Sequence, residues 1–549
     1  MNAGLLSVLA VLLSGCVAIG GRVDTGLQAP DGGSDGEADA SGLTDSGNPP
    51  VDAGHLGADA GLEPPDATAA GPDAAFAGPD AGAPGACSPL SIAAATVGSY
   101  KTDRYSWSDS ACRPRSAALV RNDSADPGGS RGGFLREYVY EADGARRTCT
   151  AESGLRWGGW GYVVTHYGSG STSSHDTTGT YRTVFAGAHH AIHEFKVSIS
   201  PGGPVAVTVH WLFATGRDHP VYSITFDASA NAANVLKADT RAPYGNLNFD
   251  GIANGSGEVA GVGWGDKFRF TTTGSGPVSM ASAWDYSQPN AIPYVVEWSA
   301  DADAEMGAVE TRPFLETIAG GDYGGGMLAD CWGRTSANPG PNCVKDAAGD
   351  TMFASWLWPY QLNQYELPFV TTSKRLAWGA TYSAIGQASY DSLGRTGLSG
   401  HPRVSYAVHV VLGEHSAGSV AAMVSEMEAA QATTLTATKG TVATSGLAGA
   451  GRTDTMAWSP MGWNHVYGTW DVQSAGNAAS LRFSTGAGTL RNPVVRLLGY
   501  SGTGPTTVKL AGATLVQGTD WFASVDPAEQ VLWLTLRRAV SGVAELSIE

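Results

Sequence analysis

Short stretches in which apolar and polar residues alternate recur through most of this chain after residue 90. Examples are FKVSISPGGPVAVTVHWLFATG, PVYSITFDAS and DKFRFTTTGSGPVSMASAWDYS, with Gly, Asn, Asp or Pro between the runs. Alternation with period two places one face of a strand in a core, and the intervening residues favour turns. The pattern therefore predicts an all-β fold.

One segment departs from this pattern. Residues 416–431, SAGSVAAMVSEMEAAQ, have the spacing of an amphipathic helix, with Ser416 as its predicted cap. The apolar residues predicted to share one face of this helix are Val420, Met423, Val424 and Met427. The Thr/Ala/Gly-rich stretch that follows indicates a domain boundary.

The predicted folded part therefore has two domains. Residues 87–430 are too long for one immunoglobulin-like sandwich and lack a βαβ rhythm, so we predict one large antiparallel β-sandwich. Residues 431–549 end in a run of short strands and are predicted to form a small C-terminal β-sandwich, with the one helix between the two.

The large region resembles the galactose-mutarotase-like super-sandwich of polysaccharide lyases. The resemblance lies in its long strands, its late Trp-rich loops and the C-terminal sandwich that follows, which is similar to modules appended to secreted carbohydrate-active enzymes. It implies a protein that acts on polysaccharides or surface glycans.

The N-terminus, MNAGLLSVLAVLLSGC, resembles a bacterial lipobox. This resemblance implies a signal peptide over residues 1–16, with Cys16 lipidated, and a protein exported and anchored to the cell envelope at the outer-membrane surface. The apolar run is too short to span a bilayer, so the lipid is the expected membrane contact. An ordinary cleaved secretory signal is the alternative.

Residues 17–86 consist almost wholly of Ala, Gly, Asp, Pro and Ser, and are predicted to be a disordered tether. They hold twelve acidic residues against Arg22 alone, which accounts for −11 of the net charge of −18. The acidity argues against a nucleic-acid partner.

Five cysteines remain beyond Cys16. In an oxidising compartment disulfides are expected. Cys331 and Cys343 flank a Gly/Pro/Asn loop and are predicted to pair. Two of the other three are expected to pair, and we predict Cys112–Cys149. No C-x-x-C occurs, and neither a metal nor another cofactor is predicted.

Residues 189–199, HHAIHEFKVSI, carry three histidines and a glutamate within six positions. The order H-x-x-H-E matches neither zinc-protease motif, and the β-branched continuation predicts a strand. The next strand carries His210. Because neighbouring strands bring side chains within about 5 Å of each other, His190 or His193 is expected to meet His210.

Cleavage of a uronate polymer by β-elimination needs a cation for the carboxylate, a base for the proton beside it and an acid for the leaving oxygen. The residues predicted to supply the proton transfers and the charge are His190, His193, His210, Arg217, His219 and Tyr244. For each of them a purely structural role in a sheet or turn is the alternative.

Sugar rings stack on aromatic side chains that carry polar groups nearby. The stretch WLWPYQLNQYE interleaves such aromatics with amides. The predicted substrate-binding residues are Arg241, Trp264, Trp358, Tyr360 and Gln361.

Together these features predict a surface-anchored protein that cleaves a uronate-containing polysaccharide by β-elimination. The alternative is a non-catalytic glycan-binding or adhesive lipoprotein of the same architecture. A hydrolase would need two carboxylates in one cleft, and no spacing singles out a pair among Asp285, Glu297 and Glu366.

Overall fold

The structure is a computed structural model. It describes residues 87–98, 100–121, 134–142, 144–150, 159–167, 170–173, 177–199, 204–227, 229–230, 238–247, 261–265, 271–273, 292, 294–299, 303–312, 344–345, 351–352, 376–377, 403–447 and 455–549.

The described residues are mostly strands, in agreement with the predicted all-β class. The strands before the helix are β1 Ser91–Val97, β2 Tyr100–Ser108, β3 Pro114–Val120, β4 Leu135–Ala142, β5 Ala145–Thr150, β6 Gly159–Tyr167, β7 Gly170–Ser173, β8 Thr180–Ala186, β9 His190–Ile199, β10 Val205–Ala214, β11 Val221–Asp227, β12 Ala238–Leu247, β13 Gly261–Gly265, β14 Thr271–Thr273, β15 Tyr294–Ser299, β16 Ala304–Glu310, β17 Val344–Lys345, β18 Thr351–Met352, β19 Leu376–Ala377 and β20 Arg403–Gly413.

The helix and the later strands are α1 Ser419–Ala432, β21 Thr434–Lys439, β22 Thr441–Val442, β23 Ser445–Leu447, β24 Thr455–Ala457, β25 Trp463–Asn464, β26 Thr469–Gln473, β27 Ala479–Arg491, β28 Val494–Leu498, β29 Val508–Leu510, β30 Ala513–Thr514, β31 Trp521–Asp526, β32 Val531–Leu536 and β33 Ala539–Ile548.

Four sheets carry most of these strands. The first sheet has the order β1-β2-β3-β4-β6-β12-β19, with β5 beside β4 and β7 beside β6. The second sheet has the order β14-β13-β15-β16-β20-β11-β10-β9-β8. The third sheet is β21-β27-β33-β29-β30, and the fourth is β22-β26-β28-β32-β31 with β25 beside β26. The described ladders are antiparallel except β26 with β28.

Aromatic side chains join the first and second sheets into a sandwich. Tyr105 of the first sheet stacks on Phe213 of the second, with ring centroids 4.6 Å apart. Trp160 lies edge-on to both Trp211 and Tyr222, and its side chain is fully buried. Burial of such large side chains is the main contribution to the free energy of folding of this core.

The close approach of the two sheets requires a glycine at one position. Gly161 has a φ of +100°, and a Cβ there would lie 3.1 Å from the Trp211 ring. Tyr222 donates a hydrogen bond from its hydroxyl to the Gly161 carbonyl, at 3.0 Å. A side chain at residue 161 would therefore strain the backbone and separate the sheets.

The other face of the second sheet is also covered. Ile192 and Leu212 on that face belong to one apolar cluster with Trp458, Tyr467 and Trp533 from the C-terminal part of the chain. The second sheet is consequently a middle layer, and strand β9 is buried on both faces over most of its length.

The third and fourth sheets share a further core with the helix, including Trp470, Phe483 and Leu534. The four residues predicted for the apolar face of α1 are all buried. Ser416 does not cap the helix; it hydrogen-bonds Asp303, and Glu305 accepts the Val420 N–H at 2.6 Å. A carboxylate at a helix N-terminus is stabilised by the exposed amides and the helix dipole.

The predicted Cys112–Cys149 disulfide is wrong. Cys112 forms a disulfide with Cys87, and Cys149, which is buried on β5, is not part of that bond. The pairing follows from the path of the chain before β1, because Ser88 donates its N–H to the Ser108 hydroxyl at 3.0 Å and so lies beside the β2–β3 turn.

Several predictions fall outside the described residues, namely the signal peptide with Cys16, the tether up to residue 86, and the Cys331–Cys343 pair. The described residues from 87 onward belong to one compact unit, and the division of the folded part at residue 430 stays a prediction. Among the described helical residues, no segment combines the length and the apolarity that crossing a bilayer requires.

Candidate functional site

Strand β9 places its histidines on opposite faces. His193 lies on the face toward the first sheet, opposite Trp211, and its Nδ1 lies 3.0 Å from the Tyr105 hydroxyl. Burial, with a smaller effect of the nearby His210, lowers the pKa of His193 to about 3. His193 is therefore a neutral side chain within the sandwich core.

The residue that meets His210 across the ladder is Glu194, so the expected meeting of two histidines is wrong. His210 Nε2 lies 3.0 Å from a Glu194 oxygen, and Arg182 donates to the other oxygen at 2.8 Å. Burial opposes ionisation of Glu194, but these hydrogen bonds lower its pKa to about 2. Glu194 is thus held by the His210 imidazole and the Arg182 guanidinium, and the His210 ring lies 6.1 Å from the Tyr467 ring.

His190 connects the second sheet to the C-terminal strands. Its Nδ1 lies 3.1 Å from the Ser524 hydroxyl and its Nε2 lies 2.8 Å from the Thr535 hydroxyl. The side chain is fully buried, and burial lowers its pKa to about 3. His190, His193 and His210 line neither of the cavities described below, so we do not assign chemistry to them.

The turn between β10 and β11 carries the other predicted polar residues, Arg217 and His219. Trp107 donates from Nε1 to the Arg217 carbonyl at 2.9 Å, and Ser110 donates its N–H to the Asp218 carboxylate at 2.9 Å. These contacts from the first sheet fix the turn, since each satisfies a polar group of the turn itself.

Arg217 and His219 both line a cavity of about 200 Å³, which we call the arginine cavity. Its walls come from the first sheet, the β10–β11 turn, the β20–α1 connection, helix α1 and the β27–β28 connection. The lining residues are Arg113, Arg115, Glu141, Arg217, Asp218, His219, Gly413, Glu414, Ala417, Ser419, Ala422, Met423, Glu426, Arg491 and Asn492.

Arg115 forms the buried cationic floor of this cavity. Its Nε lies 3.4 Å from Asp109, and its Nη1 donates to the Leu412 carbonyl at 2.9 Å. Asp109 also accepts from Arg113 at 2.9 Å. This network holds the positive charge in place without exposing it to solvent.

Arg217 is held by the helix and the β27–β28 connection. Its Nη1 donates to Glu426 at 2.6 Å and also to the carbonyls of Arg491 and Asn492. Burial raises the pKa of Glu426, whereas the Arg217 charge lowers it. Arg217 is thus committed to internal partners, and its predicted catalytic role has to compete with them.

His219 is uncharged in this surrounding. Burial and the Arg115 charge lower its pKa to about 3, although Asp218 acts in the opposite direction. Asp218 itself has a pKa of about 2, because the Arg115 charge and the hydrogen bond from Ser110 outweigh the effect of its burial. The Nδ1 atom of His219 is buried and has no hydrogen-bond partner among the described residues.

Two cations of the cavity remain accessible. The Arg113 side chain is 38% exposed, although it pairs with Asp109 and, at 3.8 Å, with Glu414. Arg491 is exposed at the end of β27. Among the described residues Arg491 makes no side-chain ion pair, so its guanidinium is available to an anion from solvent. A neutral imidazole therefore lies in one cavity with two accessible guanidinium groups.

Sequence reasoning missed Arg113, Arg115, Arg491 and Glu426. The signal for Glu426 was present, since it is an acidic residue beside Met423 and Met427 on the buried face of a helix. The signal for Arg115 was weaker: it is one of two arginines, two positions apart, at the start of the apolar strand sequence RPRSAALV. Nothing local to Arg491 marks it, because its neighbours in space are far away in sequence.

The remaining predicted site residues are not among the described residues that line the arginine cavity. Arg241 and Tyr244 lie on β12 of the first sheet, and Trp264 lies on β13 of the second, with side chains outside the description. Trp358, Tyr360 and Gln361 lie outside the described residues. Within the described ranges, no group of three His, Cys, Asp or Glu side chains is placed to hold a metal ion.

No protein-family model matches the chain, and no curated protein matches it. Among solved structures, it is similar to a protein in glycosyl hydrolase family 38 from Enterococcus faecalis and to an alpha-mannosidase from Enterococcus faecalis V583. Each is 9% identical with a TM-score of 0.28 and covers 84% of this chain. The chain spans about half of those proteins, 51% and 48% of their lengths, and a similarity at this level assigns no function.

Proposed function

We propose that this protein binds an acidic polysaccharide in the arginine cavity and cleaves it by β-elimination. The observation that carries the proposal is the position of His219, a neutral imidazole with an unpartnered buried Nδ1, in a cavity that also exposes Arg113 and Arg491. The cations would bind a uronate carboxylate, and the imidazole would take the proton beside it.

The charges around His219 suit a reaction in which carboxylate binding precedes proton removal. In the free protein burial and the neighbouring arginines keep His219 unprotonated, so a ring nitrogen is free of a proton when substrate arrives. A bound carboxylate places a negative charge beside the imidazole and offsets the arginines, which raises the basicity of His219 when substrate is present. Arg113 and Arg491 stabilise the charge that develops on the carboxylate as the proton leaves.

The proposed elimination requires only His219 and the substrate, without a cofactor. His219 removes the proton from the carbon next to the carboxylate, and that electron pair forms the new carbon–carbon double bond. The bond between the adjacent carbon and the glycosidic oxygen breaks, and the imidazolium returns its proton to that oxygen. The products are a shortened chain and a chain with an unsaturated terminal uronate.

We further propose that Cys16 is lipidated and that residues 17–86 tether the enzyme at the outer-membrane surface. The lipobox-like sequence supports the anchor. The acidic, low-complexity composition supports an extended tether that lets the folded part reach extracellular polymers.

The elimination is tested with the full-length protein on pectate, alginate and hyaluronan, by the absorbance of the unsaturated product. We expect His219→Gln to lower kcat by about 10²–10⁴-fold, the usual contribution of a general base, while ligand affinity stays within about threefold. The matched control is His415→Gln, because His415 is partly exposed and lines neither cavity; its rate should stay at the wild-type level.

A flat absorbance trace with all three polymers would overturn the elimination. If binding persisted in that case, the protein would be a non-catalytic glycan-binding protein. Equal losses in His219→Gln and His415→Gln would exclude His219 as the base.

A further inference from the structure

A second cavity lies against the first sheet near the β2–β3 turn. Its volume is about 510 Å³, five of its lining residues are serines, and one wall is supplied by the Cys87–Cys112 disulfide through Cys112. The lining residues are Ser88, Pro89, Ser91, Arg104, Ser106, Trp107, Ser108, Cys112, Pro114, Arg115, Ser116, Val139, Glu141 and Arg146. We call it the serine cavity.

Three of these serines lie in register across neighbouring strands. Ser91 of β1 is opposite Ser106 of β2, and Ser106 is opposite Ser116 of β3. Since strands are about 4.8 Å apart, the three positions span about 10 Å across the sheet. Each hydroxyl both donates and accepts, which suits the hydroxyl groups of a sugar chain.

The serine cavity also carries positive charge. Arg146 is exposed on β5, directly opposite Glu141 of β4. Arg104 forms an ion pair with Glu137, and its buried Nε has no hydrogen-bond partner among the described residues. A ligand here therefore meets hydroxyls together with two guanidinium groups.

The two cavities adjoin each other, because Arg115 and Glu141 line both. Of these two residues on the border between the cavities, Arg115 is buried, whereas Glu141 is only half-buried. A chain that passes from one cavity to the other consequently crosses Glu141 at the surface.

The volumes of the two cavities indicate how much of a sugar chain each can hold. Sites that enclose most of a drug-sized ligand have volumes of about 300–1,000 Å³. The arginine cavity, at about 200 Å³, is smaller than this range, and the serine cavity, at about 510 Å³, falls within it. One acidic sugar fits the chemistry of the first cavity, and further sugars need the second.

We propose that the serine cavity is a second subsite, which binds the sugar residues adjacent to the uronate held in the arginine cavity. This inference rests on the proposed function and specifies its substrate: an acidic polysaccharide chain, bound over several sugars, and not a single uronic acid. Arg146 binds a further carboxylate of that chain, and Ser91, Ser106 and Ser116 bind its hydroxyls.

The test is a series of affinities for one polymer type as its chain length increases. Full-length protein is titrated calorimetrically with the uronate monosaccharide and with di- to hexasaccharides prepared from pectate, alginate and hyaluronan. The variants are Ser106→Trp, which fills the serine cavity, and Arg146→Ala, which removes its exposed cation. The matched controls are Ser541→Trp and Arg482→Ala, since both residues are exposed on C-terminal strands and line neither cavity.

We expect the wild-type affinity to rise with chain length. Ser106→Trp should lower the affinity for the longer chains by about tenfold, and Arg146→Ala by about fivefold, with the monosaccharide affinity and both controls unchanged. Circular dichroism of each variant establishes that it is folded, and Arg146→Ala covers the case in which the tryptophan disturbs the sheet.

Two results would overturn the inference and leave the proposed function standing. One is a length dependence that is unchanged in both variants, and the other is an equal loss for monosaccharide and longer chains. A wild-type protein that binds no uronate of any length would overturn the proposed function itself.

Discussion

Lowering the pH from 7 to 5 is expected to reduce the free energy of unfolding by about 6 kcal/mol, through three buried histidines alone. Burial lowers the pKa of His190, His193 and His219 to about 3 in the folded protein. Such a loss is comparable to the whole stability of a typical domain, about 5–15 kcal/mol. We therefore expect denaturant midpoints to fall steeply over this range.

The sign follows from proton uptake. Above pH 6.5, the ordinary histidine pKa, these groups are neutral in both states and contribute no slope. Below it, the unfolded chain binds protons that the folded protein does not, so stability falls as the pH drops toward 3. Each histidine contributes a slope of about 1.4 kcal/mol per pH unit inside this window. His409 and His465 act in the same direction, since burial lowers the pKa of both.

Other groups modify the curve at lower pH. Burial raises the pKa of Glu305, Glu426 and Asp471, so the folded state takes up protons there and loses less stability than the histidines alone would cause. Glu194 and Asp218, with folded pKa values of about 2, stabilise the protein above their ordinary pKa, and this contribution is lost as the pH falls toward 2.

Urea unfolding at pH 7.5, 6.5, 5.5 and 5 measures the effect. His193→Gln should reduce the slope by about 1.4 kcal/mol per pH unit, and its packing cost is obtained separately at pH 7.5, where the titration contributes little. A wild-type stability that stays level between pH 7 and 5 would contradict the neutral, buried state of these histidines.

Arg217→Met is the second large effect that we expect, with a loss of about 3–5 kcal/mol, as measured when one partner of a buried ion pair is removed. Arg217 and Glu426 are each 9% exposed, and the substitution leaves the carboxylate buried without its partner. The three hydrogen bonds from Arg217 Nη1 are lost together. Guanidinium unfolding at pH 7 measures the loss.

The double variant Arg217→Met/Glu426→Leu is the control. It removes the stranded charge, so it should regain much of the stability lost by the single variant. Without Arg217 the pKa of Glu426 rises further, and the deficit relative to wild type should grow as the pH increases from 5.5 to 7.5. Equal stability of the single variant and wild type would mean that the ion pair contributes nothing to folding.

The periodicity of apolar residues in the sequence correctly predicted individual strands and the helix. The alternation after residue 189 predicted a strand, and the structure has β9 from His190 to Ile199. The spacing of Val420, Met423 and Met427 predicted the helix and its buried face. Both features follow from periodicity, which a sequence carries directly.

The sequence does not show what covers each face. His190 contacts Ser524 and Thr535, more than 300 positions away, so its burial could not be read from its neighbours in the chain. The partner of Cys112 likewise depended on the path of residues 87–90 beside the β2–β3 turn. The arginine cavity combines a turn, a strand, a helix and a connection that are distant in sequence, and only Arg217 and His219 of its walls were predicted.

The claim that the arginine cavity binds an acidic polysaccharide is tested by the affinity of Arg491→Ala for oligosaccharides from pectate, alginate and hyaluronan. Wild type and Arg482→Ala are measured beside it. Both arginines are exposed on β27, but only Arg491 lines the cavity. We expect Arg491→Ala to weaken binding by about tenfold and Arg482→Ala to leave it unchanged. Equal affinity in all three proteins, or no binding by wild type, would contradict the claim.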